Sequence, residues 1–384
     1  IAALTTTQAA ALTNTQLNAL NATKFGALLD TQIAALTTTQ VAGLSTTNLT
    51  ALDATQLSSL TTTQVAALSA TQVGSLKTTK VAALTETQIG AFTTTQIKSL
   101  STTNLSALDA TQAGALTTTQ IGQLTTTQAS VLTSTDIGEL SSTQIGAFTG
   151  TLIGRLSTSA VVALDATQIG SLSSTQLQSL STTQLGTLGA ADMGEFNETQ
   201  LAALSGTQVR ALTTTATNAL VETQVAALTN TQIQSLSATA LSGLDATQVG
   251  AMTTTQVRAI TTAQIAALST TDVQEFSTDQ VAALTVTQLG SFSSTKFAAL
   301  TDAQVAAMTL TQVQSISASN LSAMSLTQIA ALSTTQVSGL TTTQLAGLSV
   351  TNLSGLDQTQ VAELTTTQVK ALTRLFWGIG SRPV

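Results

Sequence analysis

The stretch IAALTTTQVAGLSTTN, Ile33 to Asn48, is two copies of one eight-residue phrase: apolar, small, small, Leu, Ser/Thr, any residue, Thr, Gln/Asn. Numbering the slots from Ile33, the fourth slot recurs every eight residues from Leu4 to Leu372 without insertion or deletion. It is Leu in 37 of 47 octads and otherwise Phe, Met or Ile, as at Phe92, Met252 and Ile260. The first slot is Val, Ile or Leu with few exceptions, among them Ala9, Ala113, Ala129 and Thr217. Two apolar lines therefore define the predicted core. The second and third slots are mostly Ala, Gly or Ser.

An eight-residue repeat constrains the backbone. In a continuous α-helix each residue turns about 100°, so eight residues overshoot two turns by about 80° and the apolar line would wind around the rod. In a plain strand the first and fourth slots have opposite parity and would face opposite sides. The chain must break once per octad.

The fifth slot supplies the break. Its Ser or Thr, followed three residues later by Gln, is a capping box: the hydroxyl accepts from the eighth-slot N–H, and Gln reaches back to the cap N–H. Gln fills the eighth slot in 32 of 46 octads. The preceding Leu and following Ile or Val stand at the two positions of a hydrophobic staple. Where the fifth slot is not Ser or Thr it is usually Asp (Asp53, Asp109, Asp165, Asp245, Asp357), Asn (Asn21, Asn197) or Gly189, which are good N-cap residues. Only Leu29, Lys77 and Val221 fall outside that set. Of the 18 acids, 14 lie in slots five to eight, near the positive end of a helix dipole.

The expected fold is all-α: a superhelical solenoid of very short capped helices, one per octad, each running from the sixth slot to the next fourth slot. A seven-residue helix is unstable alone, so each must bury its Leu and Ile against neighbouring octads. The alternative is a β-solenoid, which abundant Thr, Val and Ile would suit. The phrase does not fix the number of octads per turn.

A longer rhythm runs through it. LDATQ begins at Leu52, Leu108 and Leu164, and Phe92 and Phe148 share that 56-residue interval. Either seven octads were duplicated as a block, or seven octads match a whole number of turns. Residues 1–372 form the expected octapeptide-repeat solenoid and residues 373–384 a non-repeat C-terminal cap or tail. That tail holds Leu375, Phe376, the only Trp (Trp377) and the only Pro (Pro383).

Composition narrows the function. The chain is 42% apolar but only 8% charged, against roughly 25% charged in ordinary globular domains. A net charge of −7 argues against nucleic acid, because phosphate binding needs clustered Lys and Arg. Ser, Thr and Gln interrupt every octad, so no apolar run is long enough for a membrane-spanning helix. The chain opens at Ile1, inside the phrase and without a secretory leader, as expected of a mature product or a piece of something longer.

There is no Cys and no His, so disulfides, Ser-His-Asp triads and imidazole metal sites are excluded. No catalytic, cofactor-binding or metal-binding residue is predicted, no cofactor is expected, and the chain is not expected to be an enzyme. Glu139, Glu195, Glu275 and Glu363 share the third slot and are expected on a solvated face. Lys98, Arg210, Arg258 and Lys370 share the second slot and are expected to face solvent.

The phrase LTTTQIAAL resembles the octapeptide arrays of very large secreted proteobacterial proteins of adhesin-like or haem-utilisation type. The resemblance covers residues 1 to about 372 and implies an extracellular or cell-surface, structural or adhesive role. Its haem aspect finds no axial ligand here beyond four Met. The pattern LTxxQVxAL is also similar to the first helix of plant-pathogen TAL effector repeats, but only over the capped start.

The function expected is that of a structural stalk, spacer or filament subunit, self-associating end to end or side by side. The alternative is an adhesin, or a Thr array that binds ice or another surface.

Overall fold

The computed structural model describes the backbone of residues 1–377 and the side chains of residues 1–372. The expected cap formed by Leu375, Phe376 and Trp377 concerns side chains outside the described residues, as does Pro383. Among the described residues there are 46 α-helices and no strand. Every helix begins at the sixth slot of an octad, from Thr6 to Thr366. The fold is an all-α solenoid, and the β-solenoid alternative falls. Contacts divide the chain into two compact units, Ile1–Thr187 and Leu188–Val384.

Capping chemistry sets the helix starts. Thr61 has extended backbone (φ −69°, ψ 157°), and its hydroxyl accepts from the N–H of Gln64 while Gln64 Oε1 accepts from the N–H of Thr61. Asp53, Asp109, Asp165, Asp245 and Asp357 do the same with a carboxylate oxygen. At Leu29 and Val221 the side chain contributes nothing, and Gln32 or Gln224 alone closes the cap N–H, each at 2.8 Å.

The helices are shorter than expected. All but the last run four to six residues and end at the first, second or third slot, not the fourth. Where a helix reaches the third slot, the fourth-slot residue is its C-cap and is extended, as at Leu68 (φ −60°, ψ 139°). Each break then contains two extended residues, the Leu and the following cap. The last helix, Thr366–Trp377, is the exception at 12 residues and runs through the expected boundary after residue 372. There the eighth slot is Phe376, so the Gln half of the box is missing.

Within each unit a helix packs against the helix three octads later; Asp30–Ala34, for example, lies against Ala54–Ser59. First- and fourth-slot side chains form the core: Ile33, Val65, Ile89 and Ile97 are fully buried, and Leu36, Leu60 and Leu68 nearly so. Each such burial contributes about 1.5–3 kcal/mol. That offsets the nucleation cost of helices too short to persist alone.

The small second slot permits close approach. A Cβ on Gly90 would stand 3.1 Å from the Ala115 carbonyl oxygen, and one on Gly154 2.7 Å from that of Ser179. Some long polar second-slot side chains donate to that same carbonyl: Asn18 Nδ2 to Gly43 at 2.8 Å, and Arg258 Nε to Ala283 at 3.0 Å.

Candidate functional site

The third buried line is polar in most octads. Eighth-slot Gln side chains from Gln32 onward lie in the interior, and that was not legible in the phrase. Oε1 is engaged by the N-cap of its own helix, so Nε2 points away toward an earlier turn. Gln64 Nε2 donates to the carbonyl oxygens of Leu36 at 2.6 Å and Ile33 at 3.3 Å, which lie 28 and 31 residues back. In the second unit Gln256 Nε2 donates to Leu228 at 2.7 Å and Val225 at 2.9 Å.

A short helix leaves its last carbonyls without intrahelical donors. One carboxamide thus closes the start of its own helix and the end of another. Repeated within each unit, these bonds form a ladder between successive turns.

Several substituents in the eighth slot keep the donor, whereas Leu152, Ala160, Ala216 and Ala240 have none. Asn48 Nδ2 reaches Leu17 O at 2.9 Å, Asn104 Nδ2 reaches Leu76 O at 2.8 Å, and Lys80 Nζ donates to Leu52 O. Lys296 Nζ donates to Ile265 O at 3.1 Å; burial lowers its pKa, partly offset by the charge of Asp272. Lys77 caps nothing and Lys80 forms no box, yet the helix Thr78–Val81 still begins on schedule. Packing between turns therefore holds the break even where capping is absent.

The ladder has acidic gaps. Asp136 and Asp272 occupy the donor slot with side chains that, when ionised, only accept. The hydroxyl of Ser106, 30 residues earlier, donates to Asp136 Oδ2 at 2.7 Å, and Ser242 does the same for Asp272. Burial alone would raise the pKa of Asp272, but hydrogen bonds from Ser242 and Ser269 outweigh it and hold the carboxyl below its usual range.

Beside these Asp residues lie Glu139 and Glu275. Both are half-buried, as is Glu195, which corrects the expected solvated face; Glu363 alone is exposed. Burial drew them inward because the third slot faces the neighbouring turn. Desolvation, then Asp136 and Asp109, raises the pKa of Glu139; desolvation, then Asp272 and Asp245, raises that of Glu275. The second-slot cations Lys98, Arg210, Arg258 and Lys370 are exposed as expected.

Two open grooves of about 410 and 430 Å³ sit over these serines, lined by Thr102, Thr103, Ser106, Ala107 and Val131 and by the equivalent octad around Ser242. A cavity of about 20 Å³ beside Ala113, walled by Leu108, Leu132, Asp136 and Glu139, has room for about one water. Its space arises because Ala113 stands where other octads carry Val, Ile or Leu. No group of acids with metal-holding geometry occurs among the described residues.

Residues 255–286 match the family model described as the ALTTAQ repeat. The span is four octads long and includes Ile260-Thr261-Thr262-Ala263-Gln264, a capped start of the kind found throughout the chain. The fold and this match define a repeat protein. No curated protein and no solved structure matches the chain.

Proposed function

We propose that the chain is a non-enzymatic structural element, a stalk or spacer at the cell surface or outside the cell, whose reach is set by the number of octads. The observation behind it is the ladder: most buried polar groups are spent joining one turn to the next. Slots five to seven, rich in Thr and Ser, meet solvent. On this reading the chain is analogous to the secreted octapeptide arrays, and the partners are further copies of the chain.

Deleting seven octads from mid-array should shorten the particle in proportion, by small-angle scattering, and leave its helical circular dichroism intact. A length unchanged by the deletion contradicts a spacer. Cell fractionation of the source organism tests the location, and sedimentation across a concentration series tests self-association.

A second reading, a surface-binding Thr array, draws on the exposure of slots five to seven in nearly every octad. Fifth-slot hydroxyl oxygens already accept from the backbone, so the seventh slot would carry it. A thermal-hysteresis measurement at the level of buffer alone removes the ice-binding form.

A further inference from the structure

Three times an Asp fills the eighth slot, and each time a Glu follows three residues later and an Asp cap precedes by 27: Asp109–Asp136–Glu139, Asp165–Asp192–Glu195 and Asp245–Asp272–Glu275. After Asp53 the same place holds Lys80, whose ammonium supplies the ladder donor to Leu52 O. The acids therefore recur as a set. They stand where the chain otherwise needs a donor.

We propose that the clusters Asp109–Asp136–Glu139 and Asp245–Asp272–Glu275 are proton-operated seams, where adjoining turns are held less tightly at neutral pH than across a Gln octad and are drawn together by proton uptake.

The geometry has three parts. An ionised Asp136 or Asp272 cannot donate to the carbonyl 28 residues back, Leu108 or Leu244, as Gln does elsewhere. Each cluster sets three carboxylates close enough to interact. Glu275 Oε2 is fully buried and has no hydrogen-bond partner, a state that a proton relieves.

The facing groups can be named. On the helix Ser134–Gly138 and its C-cap they are Asp136 and Glu139, from the preceding turn Asp109, and the helix Thr158–Val162 packed from the following turn carries no ionisable side chain. Around Glu275 they are Asp272, Asp245 at the start of the packed helix Ala246–Ala251, and Lys296 on the packed helix Ser294–Ala299, which couples to Asp272. The proton is taken up at Glu139 and Glu275, against the facing carboxylates. The raised pKa values of both Glu residues agree in sign: the folded state binds the proton more tightly, so stability grows as pH falls toward them and is lost as pH rises through them.

The test uses thermal melts of the full chain at about pH 7.5 and about pH 5.5, a window above the ordinary carboxylate range. Wild type should melt higher at the lower pH. E139Q/E275Q should melt above wild type at the higher pH and lose about half or more of the gain on acidification. D136Q/D272Q, which returns the commonest ladder residue, should melt above wild type at the higher pH. E363Q, an exposed residue in the same slot, should behave as wild type. A wild type that loses stability over this window, or an E139Q/E275Q profile parallel to that of E363Q, overturns the proposal.

Discussion

Gln64 Nε2 lies 2.6 Å from the carbonyl oxygen of Leu36, while Oε1 of the same side chain lies 2.6 Å from the backbone nitrogen of Thr61. Donor and acceptor ends of one amide serve two different turns. Replacing Gln64 therefore separates the two roles. Q64E keeps the acceptor and turns a second acceptor toward Leu36 O; it should cost about 1–3 kcal/mol. Q64K, which places at this position the residue type found at Lys80 and Lys296, keeps the donor and should cost less. Amide hydrogen exchange in the helix Asp30–Ala34 and the following Leu36, read with urea denaturation, checks the order. Equal costs for the two variants would remove the donor's importance.

Caps can be added as well as lost. Thr61→Val should cost about 1 kcal/mol. Val221→Thr should gain a similar amount, since its backbone is already extended (φ −77°, ψ 165°) and Gln224 is already in place. Denaturant midpoints of the two variants should move in opposite directions. A V221T midpoint at or below wild type contradicts the capping account.

Size matching between turns is a third expectation. The sixth-slot Leu310 fills the space beside third-slot Gly339, where an added Cβ would meet Leu310 Cδ1 at 2.2 Å. The reverse pairing occurs at Gly150, where an added Cβ would meet Ser179 Oγ at 2.3 Å. G339A should cost about 1 kcal/mol through overpacking, and L310A should rescue it. Gly290 has open space around it, so G290A should stabilise by about 0.5–1 kcal/mol. Thermal melts of these variants and of the double variant test the coupling; strict additivity of G339A and L310A would deny the contact.

Acid should expose the charged caps. Hydrogen bonds from Thr247, then from the Gln248 N–H, lower the pKa of Asp245. A lowered folded-state value adds stability at neutral pH that is lost as pH falls through it, below the ordinary Asp range. D245N keeps a good cap without a titrating charge. Its acid limb in a pH series of circular dichroism should be shallower than that of wild type. An unaltered limb would contradict the assignment.

Local chemistry was legible and long-range pairing was not. Thr61 and Gln64 sit three residues apart, so the cap could be read from the phrase, and with it the sixth-slot start of every helix. The bond from Gln64 to Leu36 spans 28 residues and depends on how many octads make a turn, which no single octad encodes. The 56-residue rhythm of Leu52, Leu108 and Leu164 is twice that interval, so commensurate turns join duplication as a physical account of it. The helix ends earlier than the phrase predicts because Leu68 leaves helical geometry to offer its carbonyl to Gln96, again 28 residues on. Glu139 departs from its expected exposure for the same reason: its burial is set by the preceding turn rather than by its own octad.

The ladder itself is the claim to test first. A crystal or cryo-electron microscopy map of the chain at side-chain resolution measures it directly. The expected result is eighth-slot Nε2 atoms of mid-array octads within about 3 Å of carbonyl oxygens 28 and 31 residues back. Carboxamides turned outward to solvent, or bonded at an interval such as 24 or 32 residues, would contradict it.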